Sequence, residues 1–131
     1  MPKEIVQLKT APRPAADYSQ AWSVTGSRLV FVSGQVSVGG DGKVVGVGDI
    51  AVQTGTALEN LKKVLQDAGA TLQDAIKINI YVTHMAAFQK KTAEVRGKYF
   101  PRNFPASTLV EVKSLAHPDF MVEIEAVAAV G

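Results

Sequence analysis

Two acidic residues one position apart, Glu123 and Glu125, sit in the alternating run Val122-Glu123-Ile124-Glu125-Ala126 near the end of the chain. In a strand, alternate side chains share a face and stand about 7 Å apart. Two carboxylates held that close beneath a covering surface repel, which raises a pKa and makes one of them a proton-transfer candidate. Neutralisation by Lys77 or an arginine across the sheet is the structural alternative. Ser33 is the next polar point, since it precedes Gly34-Gln35 where a turn would expose backbone amides beside its hydroxyl. Ordinary turn chemistry gives the same pattern. No Gly-x-Ser-x-Gly elbow surrounds it, which disfavours a hydrolase triad. The two histidines, His84 and His117, are far apart and lack metal-ligand spacing, so no metal site is predicted. His84 reads as a helix cap or surface residue. Gly46-Val47-Gly48-Asp49 has the glycines of a nucleotide loop but no β-α-β unit ending in an acidic residue, and reads as a turn entering a helix. Lys90, Lys91, Arg96, Lys98 and Arg102 read as a solvated basic face.

These residues need elements to position them, and the chain of 131 residues with 47% hydrophobic content is of a size for one domain, 1–131. It contains no cysteine, which removes disulfides, thiolate metal sites and a cysteine nucleophile. A net charge of +2 is too small to announce nucleic acid as a partner. No apolar run is long enough to span a membrane and no signal-peptide core follows Met1, so a cytoplasmic protein is expected.

Pro12 and Pro14 mark an extended loop over 10–18. The runs 22–25 and 28–33, split by Gly26-Ser27, predict a β-hairpin, and Gly39-Gly40-Asp41-Gly42 a turn. Ile50, Ala57, Leu58, Leu61, Val64, Leu65 and Ala68 recur at helical spacing, with Asp49 as N-cap and Gly69 as stop. Ile76, Ile78, Ile80 and Val82 alternate as a half-buried strand. Phe88, Thr92, Val95 and Tyr99 predict one further helix, ended by Pro101 and Pro105. Residues 107–112 and 121–130 supply two late strands. The order implies an α+β fold, a mixed β-sheet with two helices packed on one face. Tyr81, Val127 and Ala129 would then join Glu123 and Glu125 on the uncovered face, a surface that calls for oligomerisation.

In this order, Ser33-Gly34-Gln35, Phe104-Pro105-Ala106-Ser107-Thr108-Leu109-Val110-Glu111-Val112 and Val122-Glu123-Ile124-Glu125-Ala126 resemble the RidA family, also called YjgF or L-PSP endoribonuclease-like. Its best-known members hydrolyse reactive enamines and imines. Ala15-Ala16-Asp17-Tyr18-Ser19-Gln20-Ala21 and the 49–70 helix extend the resemblance over nearly the whole chain. It implies a chorismate-mutase-like RidA fold without cofactors, and a homotrimer whose sheets form a central barrel with three intersubunit clefts for a small-molecule metabolite. It also implies that Tyr18 closes the cleft, Ser33 hydrogen-bonds the ligand, Glu123 positions water or assists protonation, and backbone near Leu109 completes the site. Ser107 stands where the deaminating branches carry an arginine that holds the substrate carboxylate, and Thr92 where many members carry asparagine. The implied activity is hydrolysis of an imine to a carbonyl compound and ammonia with altered specificity, Arg13, Arg96 or Arg102 being substitute anchors. A non-catalytic trimeric metabolite-binding protein is the alternative. A ribonuclease or translation inhibitor, also described in the family, is disfavoured by the modest charge.

Overall fold

A computed structural model describes residues 3–131. Strand β1 (Lys3–Ile5) pairs antiparallel with β2 (Trp22–Val24) as a small two-stranded sheet. Strands β3 (Arg28–Gln35), β4 (Ala75–Val82), β5 (Ala106–Glu111) and β6 (Val122–Val130) form the main sheet in the order β3-β6-β4-β5. Only the β4–β5 pair is parallel, so the sheet is mixed as expected. The predicted 22–33 hairpin does not form. Gly26, at φ +68°, turns the chain, but β2 pairs with β1 and β3 with β6. Three residues of β1 carry too weak a pattern to have been seen as a partner.

Helix α1 (Ile50–Asp67) forms where its stripe predicts. The Asp49 carboxylate accepts from Val52 N at 3.1 Å, and Gly69, at φ +77°, ends the helix as Ala70 N donates to Leu65 O at 2.8 Å. The buried face holds Leu58, Leu61 and Leu65 together with two polar residues, Gln53 and Thr54, both fully buried. Thr54 donates back to Ile50 O within its own helix. Gln53 ties the 117–121 loop to the helix, with Nε2 donating to Asp119 O at 2.8 Å and Oε1 accepting from Met121 N at 2.9 Å.

The predicted second helix is two, α2 (Met85–Lys91) and α3 (Ala93–Tyr99), joined at Thr92. Thr92 is fully buried and its hydroxyl donates to Phe88 O, a side-chain claim on the helix backbone that coincides with the break. His84 occupies the N-cap of α2 without capping it by its side chain; the Glu111 carboxylate accepts from Met85 N instead, at 2.8 Å. The alternation of β4 holds from Ile78 to Val82 but slips at Ile76, where a bulge lets Ala75 take the buried place.

The core lies between the sheet and the helices. Val32, Ile78, Ile80, Val122, Ile124, Ala126 and Ala128 meet Leu58, Leu61, Leu65 and Phe88 there. Side chains of the opposite parity, Lys77, Asn79, Tyr81, Glu123, Glu125 and Val127, occupy the far face of the sheet and are half-buried.

Candidate functional site

On the helix side, a cavity of about 320 Å³ lies between β4–β5 and α3. Its walls are apolar, Leu58, Ile78, Ile80, Phe100 and Ile124, and its polar lining is Ser107, Arg96 and Asp17. Ser107 enters because β5 runs parallel to β4 with Ser107 opposite Ile78, which sets both on the core side. Asp17 is brought by the proline-bearing loop. Ser19 N donates to Pro105 O at 3.1 Å and its hydroxyl to Phe104 O, while Trp22 Nε1 donates to the same Phe104 O at 2.9 Å. These bonds stitch residues 16–22 to the outer edge of β5.

Arg96 departs from the solvated face expected of it. Its Nε donates to Thr92 Oγ1 at 3.0 Å and its guanidinium lies 4.8 Å from the centre of the Phe88 ring. Burial draws its pKa down from the usual arginine value while Asp17, across the cavity mouth, opposes that shift. Thr92 touches the cavity only through Arg96, which it positions. Leu109 packs its side chain on the core, and β5 is the last strand of the sheet, bridged on its outer side by Ser19 at Ala106. Tyr18 is half-buried in the loop beside Asp17.

The far face carries the second group. Gly34 lies in the β3 bulge directly against Glu123: a Cβ placed on it would fall 1.8 Å from Glu123 Oε2. Only glycine lets the carboxylate lie against that stretch of backbone. Ser33 lines a cavity of about 310 Å³ with Lys77, Asn79 and Glu125. Glu125 Oε1 accepts from Tyr81 at 2.7 Å and from Asn79 at 2.9 Å, and these bonds hold its pKa below the ordinary carboxylate value. In the single chain the two donors outweigh the cost of burial at Glu125, so the shift there is downward. Lys77 does not neutralise the pair either, donating to Thr108 Oγ1 at 2.9 Å.

One chain thus joins Ser107 with Asp17 and Arg96, and Glu123 with Ser33 and Gly34, but puts the two groups on opposite faces of the sheet. Chemically, the first can hold an anion in an apolar surround, and the second can orient water and move a proton. Asp17 and the Gly34 contact lay outside the residues singled out from sequence; the Ser33-Gly34-Gln35 run was the one signal for the latter. His84 and His117 stay apart from both, His84 bonded to Thr83 and His117 accepting from Asp119 N. No group of metal-binding side chains exists among the described residues, and no helix there is long and apolar enough to cross a membrane.

The family model "Endoribonuclease L-PSP" matches residues 8–130. A RutC family protein of Pyrococcus abyssi is 38% identical over 128 residues, covering 98% of each chain. The 3-aminoacrylate deaminase RutC of Acinetobacter baylyi is 37% identical over 130 residues, covering 99% of this chain and all of that one, 100%. Among solved structures, the Rid family protein YyfB of Yersinia pestis superposes with a TM-score of 0.87 at 30% identity, covering 99% of this chain and 100% of that one.

Proposed function

The chain belongs to the endoribonuclease L-PSP family, which includes RutC and Rid proteins, and from that membership we propose that it hydrolyses an enamine or imine to a carbonyl compound and ammonia. The observation that carries this reading is the contact of Gly34 with Glu123, which sets a carboxylate against half-buried backbone next in sequence to Ser33. The naming of one relative as a deaminase supports the same chemistry.

An imine carbon is already electrophilic, so the protein needs to hold the substrate, present water and manage protons. Water adds to the carbon as Glu123 takes its proton. Glu123 returns that proton to the nitrogen to give the carbinolamine, and transfer of the hydroxyl proton to the nitrogen then releases ammonia and leaves the carbonyl. Ser33 and neighbouring backbone hydrogen-bond the substrate, Tyr18 closes the cleft, and Ser107, Leu109 and Thr92 belong to its anchoring side. Since Ser107 and Glu123 occupy opposite faces of one sheet, a site using both takes them from different copies of the chain. A homotrimer with intersubunit clefts supplies that arrangement.

The test is hydrolysis of 2-iminopropionate and 2-iminobutyrate, generated in place by a dehydratase and trapped with semicarbazide. Acceleration by the parent and its loss in Glu123→Gln is the expected result. Ser107 favours a second reading, a trimer that binds a small metabolite without turnover, because a hydroxyl lacks the charge of an arginine fork. Silence of both the parent and Ser107→Arg toward these and toward branched 2-imino acids would favour that reading over the first.

A further inference from the structure

Arg96 is the single cationic side chain lining the helix-side cavity. It is braced from two directions, by Thr92 at Nε and by the Phe88 ring beneath it. Thr92 is itself fixed, fully buried and bonded to Phe88 O. The two terminal guanidinium nitrogens make no hydrogen bond or ion pair to the described residues. Asp17 lies beyond ion-pair distance, near enough only to act through its field. A braced guanidinium with no direct ion pair at the edge of an apolar cavity is a receptor for a planar anion, since its remaining edge offers paired donors and the surround strengthens the attraction.

We infer that Arg96 is the substrate-carboxylate anchor of this chain, supplied from α3 into the cavity that Ser107 lines from β5, and that it selects 2-imino acids with branched or aromatic side chains. The inference rests on the deaminase reading for its substrate class. The walls give the selectivity. Ile78, Ile80, Phe100 and Ile124 offer no polar partner to a small or hydrophilic side chain, and about 320 Å³ lies at the small-molecule end of ordinary sites, roughly 300 to 1,000 Å³. A carboxylate on Arg96 leaves the reactive carbon toward the mouth, where Ala16, Asp17, Ala93 and Gly97 are exposed. Thr92 is a positioning residue for Arg96.

The experiment separates anchoring from turnover by using 4-methyl-2-oxopentanoate as a non-reacting probe and the corresponding imine as substrate. Titration of the oxo acid into the parent should move the ¹⁵Nε–H resonance of Arg96, and pyruvate should bind more weakly. Arg96→Met should weaken oxo-acid binding by about 30-fold or more, the usual consequence of losing a charged contact in a desolvated site. It should raise KM far more than it lowers kcat. Adding Ser107→Arg to Arg96→Met should restore binding, which mere unfolding could not do. Thr92→Val should weaken binding by less and broaden the Arg96 signal. An unmoved Arg96 resonance at saturating oxo acid, or a folded Arg96→Met that binds as the parent does, would overturn the inference. Imine hydrolysis unaffected by Arg96→Met would sink the anchor and leave the deaminase reading standing. Arg96-dependent binding without hydrolysis would do the reverse.

Discussion

Gly34 and Glu123 are in contact so close that no side chain fits between them: a Cβ on Gly34 would lie 1.8 Å from Oε2, 2.6 Å from Cδ and 2.7 Å from Cγ of Glu123. The atoms it would strike belong to one flexible side chain rather than to backbone. The relationship is therefore a constraint on where Glu123 can be, more than on whether the sheet can form.

Gly34→Ala should then displace the carboxylate and leave most of the stability in place. If Glu123 manages the proton, imine hydrolysis falls by about 100-fold or more, the usual contribution of a positioned general base. Denaturant unfolding should show a cost of about 1 to 3 kcal/mol from overpacking. In a Glu123→Ala background that cost should shrink to a few tenths, and a cost that persists unchanged would show that the alanine strains the bulge itself.

Gln53 makes a different prediction, on stability alone. It is fully buried, and its amide bridges Asp119 O and Met121 N, groups on a loop with no regular structure of its own. Gln53→Met keeps the volume and deletes the bonds, leaving three part-buried backbone groups, Gly46 O, Asp119 O and Met121 N, without the amide, at up to about 1 to 3 kcal/mol each. A fall in unfolding free energy of about 2 to 5 kcal/mol should follow, with faster amide exchange in residues 117–121. A smaller loss would mean that the loop finds water in place of the amide.

Much of this arrangement was legible in the sequence because it rests on local rules. The stripe from Ile50 to Leu65, bounded by Asp49 and Gly69, reports a helix and both its ends. The alternation of Glu123 and Glu125 with Ile124 reports their common face. What escaped was set by side-chain bonds and strand register, which periodicity does not encode. Thr92 fits a helical stripe, and the break there accompanies a side-chain bond that periodicity does not encode. Arg96 stands among lysines and reads as surface until Thr92 and Phe88 turn it inward. The separation of Ser107 from Glu123 follows from pairing register, Ser107 lying opposite core-side Ile78 and Glu123 opposite Tyr81 on the far face, and no local pattern specifies register.

Phe31 reports on assembly. It is 74% exposed on edge strand β3, opposite Val127 and on the same face as Leu29, which is 47% exposed. An apolar face of this kind calls for a cover, and a trimer built on it would bury all three. Light scattering should give three times the chain mass for the parent, and Phe31→Asp should shift the protein to monomer with hydrolysis lost alongside. A monomeric parent that still hydrolyses imines would refute the shared cleft.

The bond from Tyr81 to Glu125 carries a pH signature with a worked sign. Glu125 has its pKa lowered in the folded state by the Tyr81 hydroxyl first and the Asn79 amide second. A carboxylate lowered by folding stabilises the protein above its unfolded pKa, and that contribution is lost as pH falls through the folded pKa. The Tyr81 hydroxyl is raised by the same bond, so its contribution is complete below the ordinary tyrosine pKa and lost as pH climbs through the raised one. The gap in stability between the parent and Tyr81→Phe should therefore be flat from mildly acidic to mildly alkaline pH and close at both ends. Denaturant midpoints across that range check the shape, and the carboxyl carbon resonance of Glu125 should titrate at higher pH in Tyr81→Phe than in the parent. A Glu125 titration unmoved by the substitution would mean that Asn79 alone holds the carboxylate.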